Sequence, residues 1–256
     1  MDLGLNGKRF LVGGGSKGLG NGIAQVLVEE GARVVLLSRN EDELRSAAEA
    51  LGDAASWVAA DMADPAMPDK VNGTIERHLG GLDGAVMNAG GPPAGQVLDL
   101  TDEQWSGAFQ LLIGGPIRLL RSLVPRMAGG GAVLWVTSSS VRQPVPNLDT
   151  SNVLRPGVAA MVKVLARELG PAIRVNSLAP GRFDTDRVRS LDAARAEQTG
   201  TSTDDQRAEW SKTIPLGRYG EPAEFGRVGA FLLSPAASYV SGISVQVDGA
   251  LVTAIP

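Results

Sequence analysis

Along the chain, short apolar runs alternate with longer stretches whose apolar positions return every three to four residues. The runs RFLVG (9–13), RVVLLS (33–38), SWVAA (56–60), DGAVMN (83–88), GAVLWVTS (131–138), IRVNSLA (173–179) and ISVQV (243–247) predict strands. Most are apolar throughout rather than alternating, which is the pattern of strands buried on both faces. Residues 19–31, 40–52, 66–79, about 102–127, about 152–169 and 222–234 predict helices. Acids open the second of these and glycine closes the first two, as the helix dipole and the left-handed C-terminal turn favour. Strand–helix alternation with such strands predicts an α/β fold: a doubly wound parallel sheet with right-handed crossovers and helices on both faces. No repeat or linker divides residues 1–256, so a single domain is expected. Residues 184–213 are polar with few apolar anchors. They follow a strand's carboxyl end, where ligands bind in such sheets, so they are expected to form a substrate lid rather than a mobile surface segment.

A chain of 256 residues suits one α/β domain with a substantial core. The net charge is −4 and no basic block stands out, so nucleic acid and anionic membranes are not expected partners. There is no cysteine, which excludes disulfides and thiolate chemistry. The one histidine, His78, falls at a helix end and reads as solvated, so no metal site is expected. The N-terminus lacks the apolar run of a signal peptide, and no segment offers the ~18 apolar residues of a membrane span. A cytoplasmic protein acting on a small molecule is expected.

The first strand runs into VGGGSKGLGNG, which opens the first helix. Its Gly14, Gly18 and Gly20 follow the spacing G-x-x-x-G-x-G. Glycines permit a tight turn and close approach to a pyrophosphate, and the helix N-terminus then faces the anion. With Ser16, Lys17 and Leu19 between them, they form the candidate phosphate loop. The second strand ends at Ser38 and Arg39, where an acid would favour NAD. A neutral serine, an arginine fork and nearby Lys17 suit a 2′-phosphate, so NADP(H) is expected in preference to NAD(H).

Further motifs follow in order: AADMAD (59–64), NAG (88–90), LAREL (165–169), RVNSLAPGRFDT (174–185), IPLGRYGEPAEF (214–225) and YVSGISVQVDGA (239–250). With the glycine loop, this series resembles the short-chain dehydrogenase/reductases, particularly the group containing ketoacyl-carrier-protein reductases, nearly end to end. The resemblance implies a Rossmann-like sheet of about seven strands and a homotetramer, or failing that a homodimer. It implies cofactor contacts from Asp61 and Met62 near the adenine, from Asn88, Ala89 and Gly90, and from Pro180, Gly181 and Thr185 near the nicotinamide. Gly13 stands where the family usually has threonine, a loss expected to loosen the loop somewhat.

The same resemblance implies a serine, a tyrosine, a lysine four residues on, and an asparagine as the proton machinery. Aligned from both sides, the serine position falls on Ser138, with a shift toward Ser139 conceivable. The tyrosine and lysine positions fall on Ser151 and Arg155, and the asparagine position on Leu112. No tyrosine precedes Tyr219, so the phenol is absent rather than displaced. Ser151 is a far weaker acid than a phenol, and Arg155 stays protonated and cannot be a general acid. Arg155 can stabilise an alkoxide or enolate and bind ribose hydroxyls as the lysine would. Pro156 disfavours helical backbone at Arg155, so a helix that starts late or kinks, with Arg155 turned aside, is expected. Arg142 reads as a solvated loop charge with a second reading as a pocket cation. Two functions remain: an NADP(H)-dependent carbonyl or quinone-type reductase with Ser138, Ser151 and Arg155 at its catalytic centre, or a catalytically inactive NADP(H)-binding partner subunit or sensor.

Overall fold

The computed structural model describes residues 2–127 and 129–254. Seven strands, β1 (Arg9–Gly13), β2 (Arg33–Ser38), β3 (Ala55–Ala59), β4 (Gly84–Met87), β5 (Gly131–Val136), β6 (Ile173–Pro180) and β7 (Ser244–Val247), form one sheet in the order 3-2-1-4-5-6-7. All neighbouring pairs are parallel. Helices α1 (Gly18–Glu29) and α2 (Glu41–Leu51) connect the first three strands, and α3 (Met67–His78) leads to β4. The fold is the Rossmann-like arrangement expected.

The strands are apolar throughout because each face buries its own core. Phe10, Val12, Val34, Leu36 and Leu134 pack on one side with Ile23, Leu27 and Phe225. Leu11, Val35, Leu37, Val133 and Trp135 pack on the other with Met67, Val71, Leu119, Val158 and Val162. Successive residues of a strand point to opposite faces, so the middle positions of the inner strands are buried on both sides, and water reaches them only near their ends, as at Arg33.

Three elements differ from the sequence reading. The helix expected over 102–127 is broken into α4 (Asp102–Phe109), a π turn (Gln110–Gly114) and α5 (Gly115–Leu123), with a 3₁₀ turn at Val124–Met127. Pro116 has no N–H to give to the Leu112 carbonyl, so the regular ladder cannot continue, and the Gly115 N–H donates to Gln110 five residues back.

Next, α6 spans Asp149–Glu168 and runs through Pro156, starting earlier than expected. Its first turn is fixed from outside. Thr150 Oγ1 donates to the Pro93 carbonyl at 2.7 Å. Asn152 clamps the Val145 backbone with two hydrogen bonds of 2.9 Å. Proline removes one rung, and the flanking turns hold the rest.

Lastly, 184–213 is two helices, α7 (Asp186–Thr199) and α8 (Thr203–Thr213), before α9 (Pro222–Leu233). Only Asp192 and Ala196 of α7 are buried, and no residue of α8 is, so an apolar stripe could not announce them. Charge and stacking hold them instead. Buried Asp192 accepts from Arg182 and, at 2.9 Å, from the Tyr219 hydroxyl. Arg182 stacks 4.2 Å from the Trp210 ring centroid and 5.1 Å from that of Tyr219. Arg207 grips Asp184 with two bonds of 3.1 and 2.9 Å, which holds that carboxyl below its usual range. No helix of the described residues is long and apolar enough to cross a membrane.

Candidate active site

Because every strand runs the same way, all carboxyl ends open on one edge, and the crevice lies where the order turns between β1 and β4. A cleft of about 930 Å³ follows that edge. Its wall carries Gly14, Ser16, Lys17, Gly18 and Leu19 after β1, Ser38 and Arg39 at the end of β2, and Asp61 and Met62 after β3. It continues with Asn88, Ala89 and Gly90 after β4, Ser138 after β5, Ser151 and Arg155 on α6, Pro180 and Gly181 at the end of β6, and Thr185 at the cap of α7. Residues brought together from across the chain thus share one surface.

Gly20 is the correction at this end. It is buried and off the wall, and a Cβ there would meet the Gly14 carbonyl and, at 2.8 Å, Asn88 Nδ2. Its role is to let α1 start close under the loop. Gly14 and Gly18 have φ of 58° and 60°, the left-handed region that side chains disfavour. Gly13 closes a gap: a Cβ there would stand 2.7 Å from the Asn88 carbonyl, so strand and loop approach where threonine was expected.

The first turn of α1 has no side-chain cap, so its N–H groups are free for an anion. Lys17 is not a free cation. It pairs with Glu43 at 2.8 Å and lies 3.9 Å from Asp186 at the start of α7. The Ser16 hydroxyl lies 3.2 Å from both Ser38 Oγ and Glu43 Oε2. The Lys17 hydrogen bond holds the Glu43 carboxyl below its usual range. Glu43 lines the cleft and was missed by sequence reasoning. Its signal was positional: Asn40 caps α2 through the Glu43 N–H, which turns this third helical residue back toward the loop. Arg39 lines the wall with no carboxylate partner among the described residues.

At the far end, Thr137 anchors the exit from β5 with two bonds to the Leu178 carbonyl, 2.7 and 2.9 Å. Ser138 then caps a 3₁₀ turn, its Oγ accepting from Ser140 N at 3.1 Å. Ser140 is buried, and its hydroxyl lies 3.0 Å from Ser151 Oγ. Ser138 and Ser151 both face the cleft, but the direct partner of Ser151 is Ser140, behind the wall. That hydroxyl pair was not read from the sequence.

Arg155 is not turned aside. It is buried on the cleft wall, Nη1 donates to the Val136 carbonyl at 2.9 Å, and Nε is buried with no partner among the described residues. Burial, and then nearby Arg187, pull its pKa down to about 10, so it remains charged at neutral pH. Leu112 is buried in the π turn and off the wall, which Leu111 joins instead. Arg142 is exposed and off the wall, the solvated charge of the sequence reading. Tyr219 is also off the wall; burial pushes its phenol up to about 12. The site therefore offers hydroxyl hydrogen bonds and a fixed positive charge to a substrate oxygen, and no phenol.

Residues 14–251 match the family model described as enoyl-(acyl carrier protein) reductase. The chain is 32% identical over 254 residues to the 3-oxoacyl-(acyl-carrier-protein) reductase FabG of Chlamydia muridarum, covering 96% of this chain and 98% of that one. The L-sorbose reductase of Gluconobacter frateurii, solved with NADPH and L-sorbose, superposes with a TM-score of 0.94 at 31% identity, over 100% of both chains. An NADPH-bound short-chain oxidoreductase of Pseudomonas aeruginosa, described as containing an atypical catalytic centre, gives a TM-score of 0.86 at 30% identity over 97% of this chain and 98% of that one.

Proposed function

From the chain's membership of the short-chain dehydrogenase/reductase family of oxidoreductases, we propose that it is an NADP(H)-dependent reductase of carbonyl or quinone-type acceptors whose proton path uses no tyrosine. The observation that carries this is Arg155: a buried guanidinium, with one nitrogen unpartnered, on the same wall as Ser138, Ser151 and the glycine loop.

The cofactor residues fit the group. The uncapped start of α1 and the glycine loop suit a pyrophosphate, and Arg39 beside Ser38, with no carboxylate partner among the described residues, suits a 2′-phosphate. Asp61 and Met62 would border the adenine, Asn88, Ala89 and Gly90 the inner ribose and nicotinamide, and Pro180, Gly181 and Thr185 the far side. When bound, NADPH supplies the hydride and leaves as NADP⁺. Ser138 and Ser151 hydrogen-bond the acceptor oxygen, and Ser140 holds the Ser151 hydroxyl in place. Arg155 stabilises the negative charge that grows on that oxygen. The proton that completes the alcohol or hydroquinone comes from water or from the substrate. Quinones and enolisable diketones suit such a site because their reduced anions are weak bases and need little help from an acid. The reported likeness to an NADPH-bound oxidoreductase with an atypical centre supports the reading. Helices α7 and α8 act as the substrate lid, and the working unit is a cytoplasmic homotetramer or homodimer.

A second reading, a non-catalytic NADP(H)-binding subunit or sensor, is favoured by one observation: Ser151, Arg155 and Leu112 stand at three of the four proton-machinery positions. One sample separates the two. NADPH and NADH titration is followed by a panel of ketones, diketones and quinones. NADPH binding with turnover of any acceptor supports the reductase; tight binding with no turnover across the panel contradicts it.

A further inference from the structure

The cleft wall carries five cationic side chains, Lys17, Arg39, Arg155, Arg182 and Arg187. Two are answered within the chain: Lys17 by Glu43 and Arg182 by Asp192. Arg39 lies at the nucleotide end. Arg155 and Arg187 remain, with no carboxylate partner among the described residues, at the end where the substrate would react. They reach the cleft from different elements. Arg155 comes from α6 and is tied to the Val136 carbonyl. Arg187 comes from the first turn of α7, its Nη2 is 3.4 Å from the Pro92 carbonyl, and its guanidinium lies over Gly91, where a Cβ would stand 2.8 Å from it.

The acids on this wall are already committed. Glu43 is bound to Lys17, Asp186 lies 3.3 Å from Arg189 and 3.9 Å from Lys17, and Asp61 accepts from Ala63 N at 2.9 Å. Two like charges facing one cleft repel each other, and burial of Arg155 adds to the cost. An anion between them relieves both. Besides its polar residues, the same wall carries the apolar side chains Leu111, Val145, Leu148, Val188 and Leu191.

We propose that Arg155 and Arg187 form an oxyanion subsite, so that the acceptor is an anionic carbonyl compound with an apolar body: one carrying a carboxylate, or an enol acidic enough to be ionised, close to the reacting carbonyl. This rests on the reductase reading for the identity of the site, but anion binding is measurable without turnover. Arg155 meets the reacting oxygen, and Arg187 is a positioning and specificity residue carried by the lid.

The test is calorimetric titration of the full chain preloaded with NADP⁺, which permits binding but no reduction. The probes are 3-oxobutanoate for the carboxylate source and 2-hydroxy-1,4-naphthoquinone for the ionised enol. Methyl 3-oxobutanoate and 2-methoxy-1,4-naphthoquinone are their neutral counterparts. At least one anion is expected to bind at least tenfold tighter than its neutral partner, and Arg187→Gln is expected to remove about tenfold of that preference, as losing one charged hydrogen bond should. Arg187→Lys should restore part of it, and added salt should weaken the anion alone. If neutral and anionic probes bind equally, or if Arg187→Gln weakens NADPH binding tenfold and leaves the anion untouched, the proposal is overturned, because Arg187 then serves the cofactor's phosphates. If the anions bind selectively but NADPH reduces no acceptor, the subsite stands and the reductase reading falls.

Discussion

At the nucleotide end of the cleft, the glycine loop, the uncapped helix start and Asn88 fit together by close backbone packing, and little in them is replaceable. At the other end, Ser151 and Arg155, which the sequence reading sets at the tyrosine and lysine positions, are both presented to the same cleft. The difference teaches where each function is stored. In the proposed function, phosphate binding rests on backbone geometry, which leaves no room for a side chain at Gly13, Gly14 and Gly20. Proton chemistry is a property of side chains on a fixed frame, and these change without disturbing the frame. Arg155 makes the point: a proline follows it, yet it faces the cleft because Thr150 and Asn152 fix the first turn of α6 from outside.

That comparison can be broken at four places. The largest effect is expected from Gly20→Val, whose Cβ must displace the Gly14 backbone. NADPH affinity should fall by about 100-fold or more, with a lower melting temperature, read by titration and calorimetry. Retained affinity would mean that the loop is not set by packing. Arg155→Ala should lower kcat by about 10²–10³-fold, the range for removing one electrostatic stabiliser, while changing the NADPH Kd much less. Because the Arg155 pKa is lowered to about 10, its charge is present below that pH and lost above it. Affinity for an anionic probe should therefore stay flat to about pH 9 and fall as pH passes about 10.

Smaller effects are expected at the nucleotide end. Arg39→Ala should weaken NADPH about tenfold and leave NADH nearly unchanged, which a paired titration reads. The smallest, Glu43→Gln, frees Lys17 from its partner and should tighten NADPH about threefold, most at low salt. Weaker binding in that variant would assign Glu43 to the adenosine ribose instead.

Much of this was legible in the sequence, and the exceptions have physical causes. The seven strands were readable because burial on both faces leaves continuous apolar runs, and the cleft wall because its residues sit at strand ends. Helices α7 and α8 were not readable as helices, since Arg–Asp pairs and Arg stacking on Trp210 and Tyr219 hold them without an apolar stripe. The break before Pro116 needed attention to one missing N–H inside a helical pattern. The Ser140–Ser151 pair and the Lys17–Glu43 pair join residues from separate elements; nothing local marks the first, and only the Asn40 cap of α2 hints at the second.

The central claim is that this chain, without a catalytic phenol, still completes hydride transfer. The most direct test is a single turnover with NADPH deuterated at the transferable position, using the ketone or diketone that binds best, whose carbinol carbon keeps the transferred label, followed by mass spectrometry of the product. The account predicts one deuterium in the product of the native chain and a rate at least tenfold lower in Arg155→Ala. Tight binding of NADPH with no deuterium in any ketone product and no NADPH oxidation by any quinone would contradict it.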